Sequence, residues 1–122
     1  MPFNWREYLE LARFLQGQGG STFSQEAAFR CAVSRAYYAA FCYARNYARD
    51  NLTFPPKYGP EDHIYLKEYF RVRAMQFPGI ALKLDSLRQK RNRCDYEDSI
   101  NNPTALLQQA LIEAKDVIEG LK

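Results

Sequence analysis

The feature that most constrains this chain is one long helical pattern held between two clusters of breakers. It begins after Thr22-Phe23-Ser24-Gln25, whose Thr-to-Gln spacing is that of a capping box, and it runs to about Asp50. At 1.5 Å per residue that is roughly 40 Å of helix. Gly17, Gly19 and Gly20 precede it, and Pro55, Pro56, Gly59 and Pro60 follow within the loop Asn51–Pro60. A rod of that length needs the rest of a short chain packed along it.

Four more segments read as helix and none reads as strand. The first spans about 4–16, with Trp5, Tyr8, Leu9, Ala12 and Leu15 at helical spacing. A third helix is predicted from about Glu61 to Met75, before the break at Pro78-Gly79, and a fourth covers about 80–96. Asn102-Pro103 supplies an N-cap and a first-turn proline for the fifth. Its apolar stripe is Leu107, Ala110, Leu111, Ala114, Val117, Ile118 and Leu121. Short connections between such helices predict an all-α, up-and-down antiparallel bundle of about five helices. The 122 residues (1–122) make a single domain. A chain of that length buries about two-thirds of its unfolded surface.

Composition narrows function more than fold. A net charge of +3 excludes a chain that binds nucleic acid by bulk charge and leaves only a local basic patch. The three cysteines, Cys31, Cys42 and Cys94, are odd in number and widely spaced, which argues against a disulfide scaffold and for a reducing compartment. A single His and no Cys-x-x-Cys pair leave too few ligands for zinc, so neither metal nor cofactor is expected. The start MPFNWREYLE lacks the apolar run of a signal peptide, and no stretch approaches the ~20 apolar residues of a membrane span. The expectation is a soluble cytoplasmic protein without a membrane partner.

On a helical wheel, the long helix divides. One half collects Phe29, Ala32, Val33, Ala36, Tyr37, Ala40, Phe41, Tyr43, Ala44 and Tyr47 and reads as core. The other collects Arg30, Cys31, Ser34, Arg35, Tyr38, Cys42, Arg45 and Arg49. A plain solvated face is the simple reading of that half. Tyr38 and two cysteines among the arginines instead fit a half-buried groove or subunit contact, and guanidinium groups there suit phosphate or carboxylate.

In the fourth helix Ile80, Leu84, Leu87 and Cys94 define the apolar arc. Arg91 falls inside that arc with Asp95 beside it, four residues on and able to pair. The pair is read either as a buried tie between helices or as a place where Arg91 meets an anion. Tyr96 lies about 140° around the helix from Arg91, so the two share a site only if the helix end distorts or the groove is wide. Arg88, Lys90, Arg91 and Arg93 make the surrounding run strongly basic.

Two stretches together resemble a known family. Arg30-Cys31-Ala32-Val33-Ser34-Arg35-Ala36-Tyr37-Tyr38-Ala39-Ala40-Phe41 is similar to the R-x-A-x-S-R-A-Y-Y-A-x-F helix of the HEPN family (higher eukaryotes and prokaryotes nucleotide-binding domain). Arg91-Asn92-Arg93-Cys94-Asp95-Tyr96 resembles the R-N-x-A-D-Y ending of its small stand-alone prokaryotic branch, and Trp5-Arg6-Glu7-Tyr8-Leu9-Glu10-Leu11-Ala12 looks like its first helix. The resemblance implies a homodimer whose polar helix ends meet in a groove between subunits. It also implies a setting beside nucleotidyltransferase-like partners or in toxin–antitoxin systems. Family members that cut RNA without metal use R-x4-6-H. Here Arg91 matches the Arg, Asn92 its polar neighbour, and Tyr96 stands where the His belongs.

That replacement matters chemically. Imidazole shuttles protons at neutral pH, whereas an unperturbed phenol is almost wholly protonated and is a poor base. His63, in the run Glu61-Asp62-His63, reads as a capping or surface residue. Three functions follow. The first is a non-catalytic HEPN-like module that binds nucleotide, RNA or a partner protein through Arg30, Arg35, Tyr38, Arg91, Asn92, Asp95 and Tyr96. The second is a metal-independent ribonuclease, with Arg91 stabilising the phosphorane and Tyr96 donating a proton. The third is a structural or protein-interaction bundle whose arginines only form ion pairs.

Overall fold

Ser24, not Thr22, opens the long helix. Its Oγ accepts a 3.1 Å hydrogen bond from the amide of Ala27, which satisfies one of the donors a helix start leaves free. The computed structural model describes residues 2–20 and 22–122. Met1, the first residue of the MPFNWREYLE start, and Ser21 lie outside the described residues. Among the described residues the elements are five helices and no strands: α1 (Arg6–Leu15), α2 (Gln25–Asn51), α3 (Asp62–Arg71), α4 (Ile80–Tyr96) and α5 (Pro103–Glu119). No helix is long and apolar enough to cross a membrane.

Helix α2 is central: α1, α4 and α5 all pack against it, while α3 leans chiefly on α4. Ala32, Ala36, Ala40, Ala44 and Ala48 are wholly enclosed, so small side chains let neighbouring helices approach closely. The expected core half is mostly buried, with Tyr43 and Tyr47 at its margin. Burial also reaches Ala28, Ser34, Ala39 and Cys42, because three helices cover α2 from several sides. α4 buries Ile80, Leu84, Leu87 and Cys94, as its wheel requires. α5 starts as expected: the Asn102 side chain accepts from Ala105 N at 3.2 Å, with Pro103 in the first turn.

Helix α3 stops at Arg71, four residues before the expected Met75. The cause is Arg73. Its Nη1 takes the Tyr69 carbonyl at 3.0 Å, and its guanidinium lies 3.5 Å from the centre of the Tyr69 ring. The Arg73 amide turns to Phe70 O instead, at 3.2 Å, a tighter turn than the α-helix allows. Met75 is left fully exposed and Phe77 is carried into the core.

The proline-rich loop is held at its far end by Asp62, a carboxylate that is 1% exposed. Its oxygens accept from the amides of Lys57 (3.1 Å to each) and Tyr58 (2.8 Å). Tyr58 sits in the left-handed region at φ 59°, which a bulky residue adopts only when its surroundings insist. That constraint sets the Tyr58 ring 5.1 Å from the Arg45 guanidinium, on the α2 side of the loop.

Candidate anion-binding groove

The polar stripe of α2 presents Arg35, Tyr38, Cys42 and Arg45 at intervals of three, four and three residues, one side of a helix. α4 runs alongside and adds Arg88 and Arg91, also three apart. The first turn of α3 contributes His63, the loop before it Tyr58 and Pro60, and the start of α1 Trp5 and Tyr8. Together these walls enclose an open groove of about 700 Å³, within the size range of small-molecule sites.

Arginine and aromatic rings alternate along it. The Arg35 guanidinium lies 4.8 Å from the Tyr8 ring centre and 5.3 Å from that of Tyr38. Arg91 lies 5.7 Å from the Tyr37 centre and 5.5 Å from Tyr38, so two cations neighbour the Tyr38 ring. Arg45 spans Trp5 (5.7 Å) and Tyr58 (5.1 Å). Such contacts orient guanidinium groups without cancelling their charge.

Hydrogen bonding leaves part of that charge unanswered. Arg91 donates from Nη1 to the Tyr38 hydroxyl (2.5 Å) and from Nη2 to Asn92 Oδ1 (2.6 Å). Its Nε lies 3.6 Å from Asp95 Oδ2, close enough for attraction but too long for a hydrogen bond. Arg35 donates Nη2 to Ser34 Oγ at 3.3 Å, and Arg45 donates Nε to Asn46 Oδ1 at 3.1 Å. The Nε atoms of Arg35 and Arg91 are buried without a partner. Asp62 also lines the groove, but its oxygens are occupied by backbone amides.

His63 sits among these cations. Its ring stacks on Phe41, centroids 4.3 Å apart, and its Nδ1 is hydrogen-bonded to the Tyr37 hydroxyl. Burial, then the fields of Arg88 and Arg91, lower its pKa to about 4, with Asp62 opposing weakly. Burial pushes the Tyr37 phenol and the Cys42 thiol up. At neutral pH the groove therefore holds neutral imidazole, phenol and thiol beside positive guanidinium groups.

The sequence-derived candidates divide. Arg35, Tyr38 and Arg91 line the groove, and Asn92 and Asp95 stand behind Arg91 and orient it. Arg30 is elsewhere. Its Nη1 donates to the carbonyls of Cys94 (2.9 Å) and Glu97 (2.6 Å), its Nη2 to that of Asp98 (3.2 Å), and its Nε to Glu26 (3.1 Å). It closes the C-terminal end of α4 against α2. Tyr96 is 78% exposed and outside the groove, because α4 stays regular to its last residue and keeps the wheel's separation from Arg91. Of the basic run, Arg88 and Arg91 face inward, whereas Lys90 pairs with Glu113 at 2.8 Å and Arg93 with Glu97 at 3.5 Å.

His63, Arg88, Arg45, Trp5 and Tyr58 complete the groove without having been singled out as ligands. The three-residue spacing of Arg88 and Arg91 was the available signal for one of them. His63 had none, since it reaches the site across the proline loop. Among the described residues no group of three or more His, Cys, Asp or Glu comes together. The donor set present is one for anions. Compared with known proteins, the chain matches no family model, no curated protein and no solved structure.

Proposed function

We propose that this protein is a HEPN-like, non-catalytic module, an up-and-down antiparallel bundle acting as a homodimer, that binds nucleotide or RNA through the groove between α2 and α4. The observation that carries the reading is the convergence of Arg35, Arg45, Arg88 and Arg91 on one open groove with aromatic walls. Among the described residues none of these four guanidinium groups meets a carboxylate at hydrogen-bond distance, so an anionic ligand would supply the missing countercharge. Guanidinium groups beside exposed ring faces suit phosphates and bases together. The outward position of Tyr96 weighs against the ribonuclease in which it donates a proton to Arg91's substrate. The same resemblance supports a setting beside a nucleotidyltransferase-like partner or within a toxin–antitoxin system.

The test is fluorescence anisotropy with a short labelled single-stranded RNA at several salt concentrations. Binding at low salt is expected, weakening as salt rises with a log–log slope of about −0.7 per phosphate contacted. Arg35→Ala and Arg91→Ala should each weaken binding and flatten that slope. No binding at about 50 mM salt, or binding whose slope both variants leave unchanged, would overturn the reading. A solution scattering mass of one chain rather than two would remove the homodimer.

A further inference from the structure

The groove holds one titratable ring that nucleotide binding through arginines leaves idle. His63 is fixed on three sides: stacked on Phe41, parallel to Tyr37 with centroids 5.5 Å apart, and met edge-on by Tyr38. The Tyr37 hydroxyl holds Nδ1. Nε2 has no protein partner among the described residues and is not among the enclosed, unpartnered atoms, so it is the ring nitrogen open to the groove.

The charged and titratable groups around this ring come from each element packed on it. α4 gives Arg88 and Arg91, and α2 gives Arg35, Tyr37, Tyr38 and Cys42. α3 itself gives Asp62, already engaged with the Lys57 and Tyr58 amides. Burial first, and then the positive field of Arg88 and Arg91, hold the imidazole neutral at pH 7. An anion seated beside Arg88 and Arg91 reverses that field and offers an acceptor to Nε2. Protonated imidazole donates from both nitrogens. The Tyr37 hydroxyl can accept from Nδ1–H while Nε2–H meets the anion.

We infer that His63 is a ligand-binding residue of this groove which takes up a proton as a phosphate group settles beside Arg88 and Arg91, so that anion binding and protonation are one linked event. The inference rests on the nucleotide or RNA reading above. Linkage then makes phosphate affinity rise as pH falls, by no more than about tenfold per pH unit because a single proton is involved.

The chain has one histidine, so the imidazole signal in a proton NMR spectrum identifies itself. The experiment titrates the unaltered protein with and without saturating oligouridylate lacking a terminal phosphate, whose groups stay unchanged between about pH 3 and 8, a range that spans both the lowered His63 value and that of an ordinary His. The expected result is a midpoint about 1.5 to 2 units higher in the bound state, with binding about threefold to tenfold tighter at pH 5 than at pH 7. Binding with an unmoved midpoint overturns the inference and leaves the groove reading standing. No binding at low salt overturns both. His63→Gln should bind with affinity independent of pH between about pH 5 and 7, and pH dependence that persists in that variant assigns the proton to another group and overturns the inference.

Discussion

The Tyr38 hydroxyl accepts a 2.5 Å hydrogen bond from Arg91 Nη1, joining α2 to α4 across 53 residues of sequence. The bond sets how far the Arg91 guanidinium reaches into the groove. Tyr38→Phe keeps the ring and removes the acceptor. A loss of about 1–2 kcal/mol is expected, because a charged donor in a part-buried place is left short of a partner. Urea midpoints at unchanged m-value measure it, and RNA affinity should fall in parallel.

Asp95→Ala should cost much less, under about 1 kcal/mol. The Asp95 side chain is 35% exposed and its nearest Arg91 nitrogen is 3.6 Å away. The cost of about 3–5 kcal/mol that attends a truly buried pair does not apply when water reaches one partner. A larger shift in the urea midpoint would mean that the carboxylate fixes Arg91 more tightly than that distance allows.

Arg30→Ala separates stability from binding. It removes one guanidinium from three carbonyls at the end of α4. A loss of about 2 kcal/mol or more is expected. Arg30→Lys should recover little of it, since a single ammonium lacks the planar fork that reaches several acceptors. RNA affinity of the folded fraction should be unchanged, as anisotropy at a temperature well below the unfolding transition would show.

Stability should fall on acidification through His63. The fold holds its imidazole neutral down to about pH 4, whereas the unfolded chain takes a proton near pH 6.5. Between those values the unfolded chain binds more protons, so the contribution is complete above about pH 6.5 and is lost as pH falls toward 4. Water reaches part of the ring, and with that screening the loss is about 1–2 kcal/mol. Denaturant midpoints at pH 7, 5.5 and 4.5 for the unaltered chain and His63→Gln isolate it, and the variant should lack this component.

Thiol reagents should distinguish the three cysteines. Cys31 is exposed, whereas Cys42 and Cys94 are buried. Burial raises both buried thiols, Cys94 to about 11, which leaves little thiolate at neutral pH. The native protein should release one equivalent with a chromogenic disulfide and three after unfolding. Rapid release of more than one would mean that α2 or α4 opens readily.

Periodicity made the helices and much of the groove legible. Alternating core and polar halves of α2 placed Arg35 and Tyr38 together, and the apolar arc of α4 turned Arg91 inward; only the packing of α4 on α2 brings it beside them. What periodicity conveys is the face of one helix, and two residues needed more. Arg30 falls in the same polar half as Arg35 in the wheel, yet its partners are carbonyls at and just past the end of α4, 64 to 68 residues away, which no local pattern announces. His63 depends on how a loop of prolines returns to the bundle. Its path is set by the Asp62 carboxylate and a left-handed Tyr58. The early end of α3 was hidden for a similar reason, since a side chain of Arg73 took a carbonyl from the helix ladder.

The enclosed alanines of α2 carry a consequence for how this protein can change. With Ala32, Ala36, Ala40, Ala44 and Ala48 at zero exposure, any larger residue there forces helices apart. Beside them runs the strip holding Arg35, Tyr38 and Arg45, none of them fully buried, whose side chains border the groove. Exchanges of Arg35 or Arg45 change the groove lining without touching the alanine seam, whereas Tyr38 is tied to Arg91 of α4. On the proposed anion-binding reading, a lineage built on this helix could trade one ligand for another by a few exchanges at those arginines, and its fold need not move.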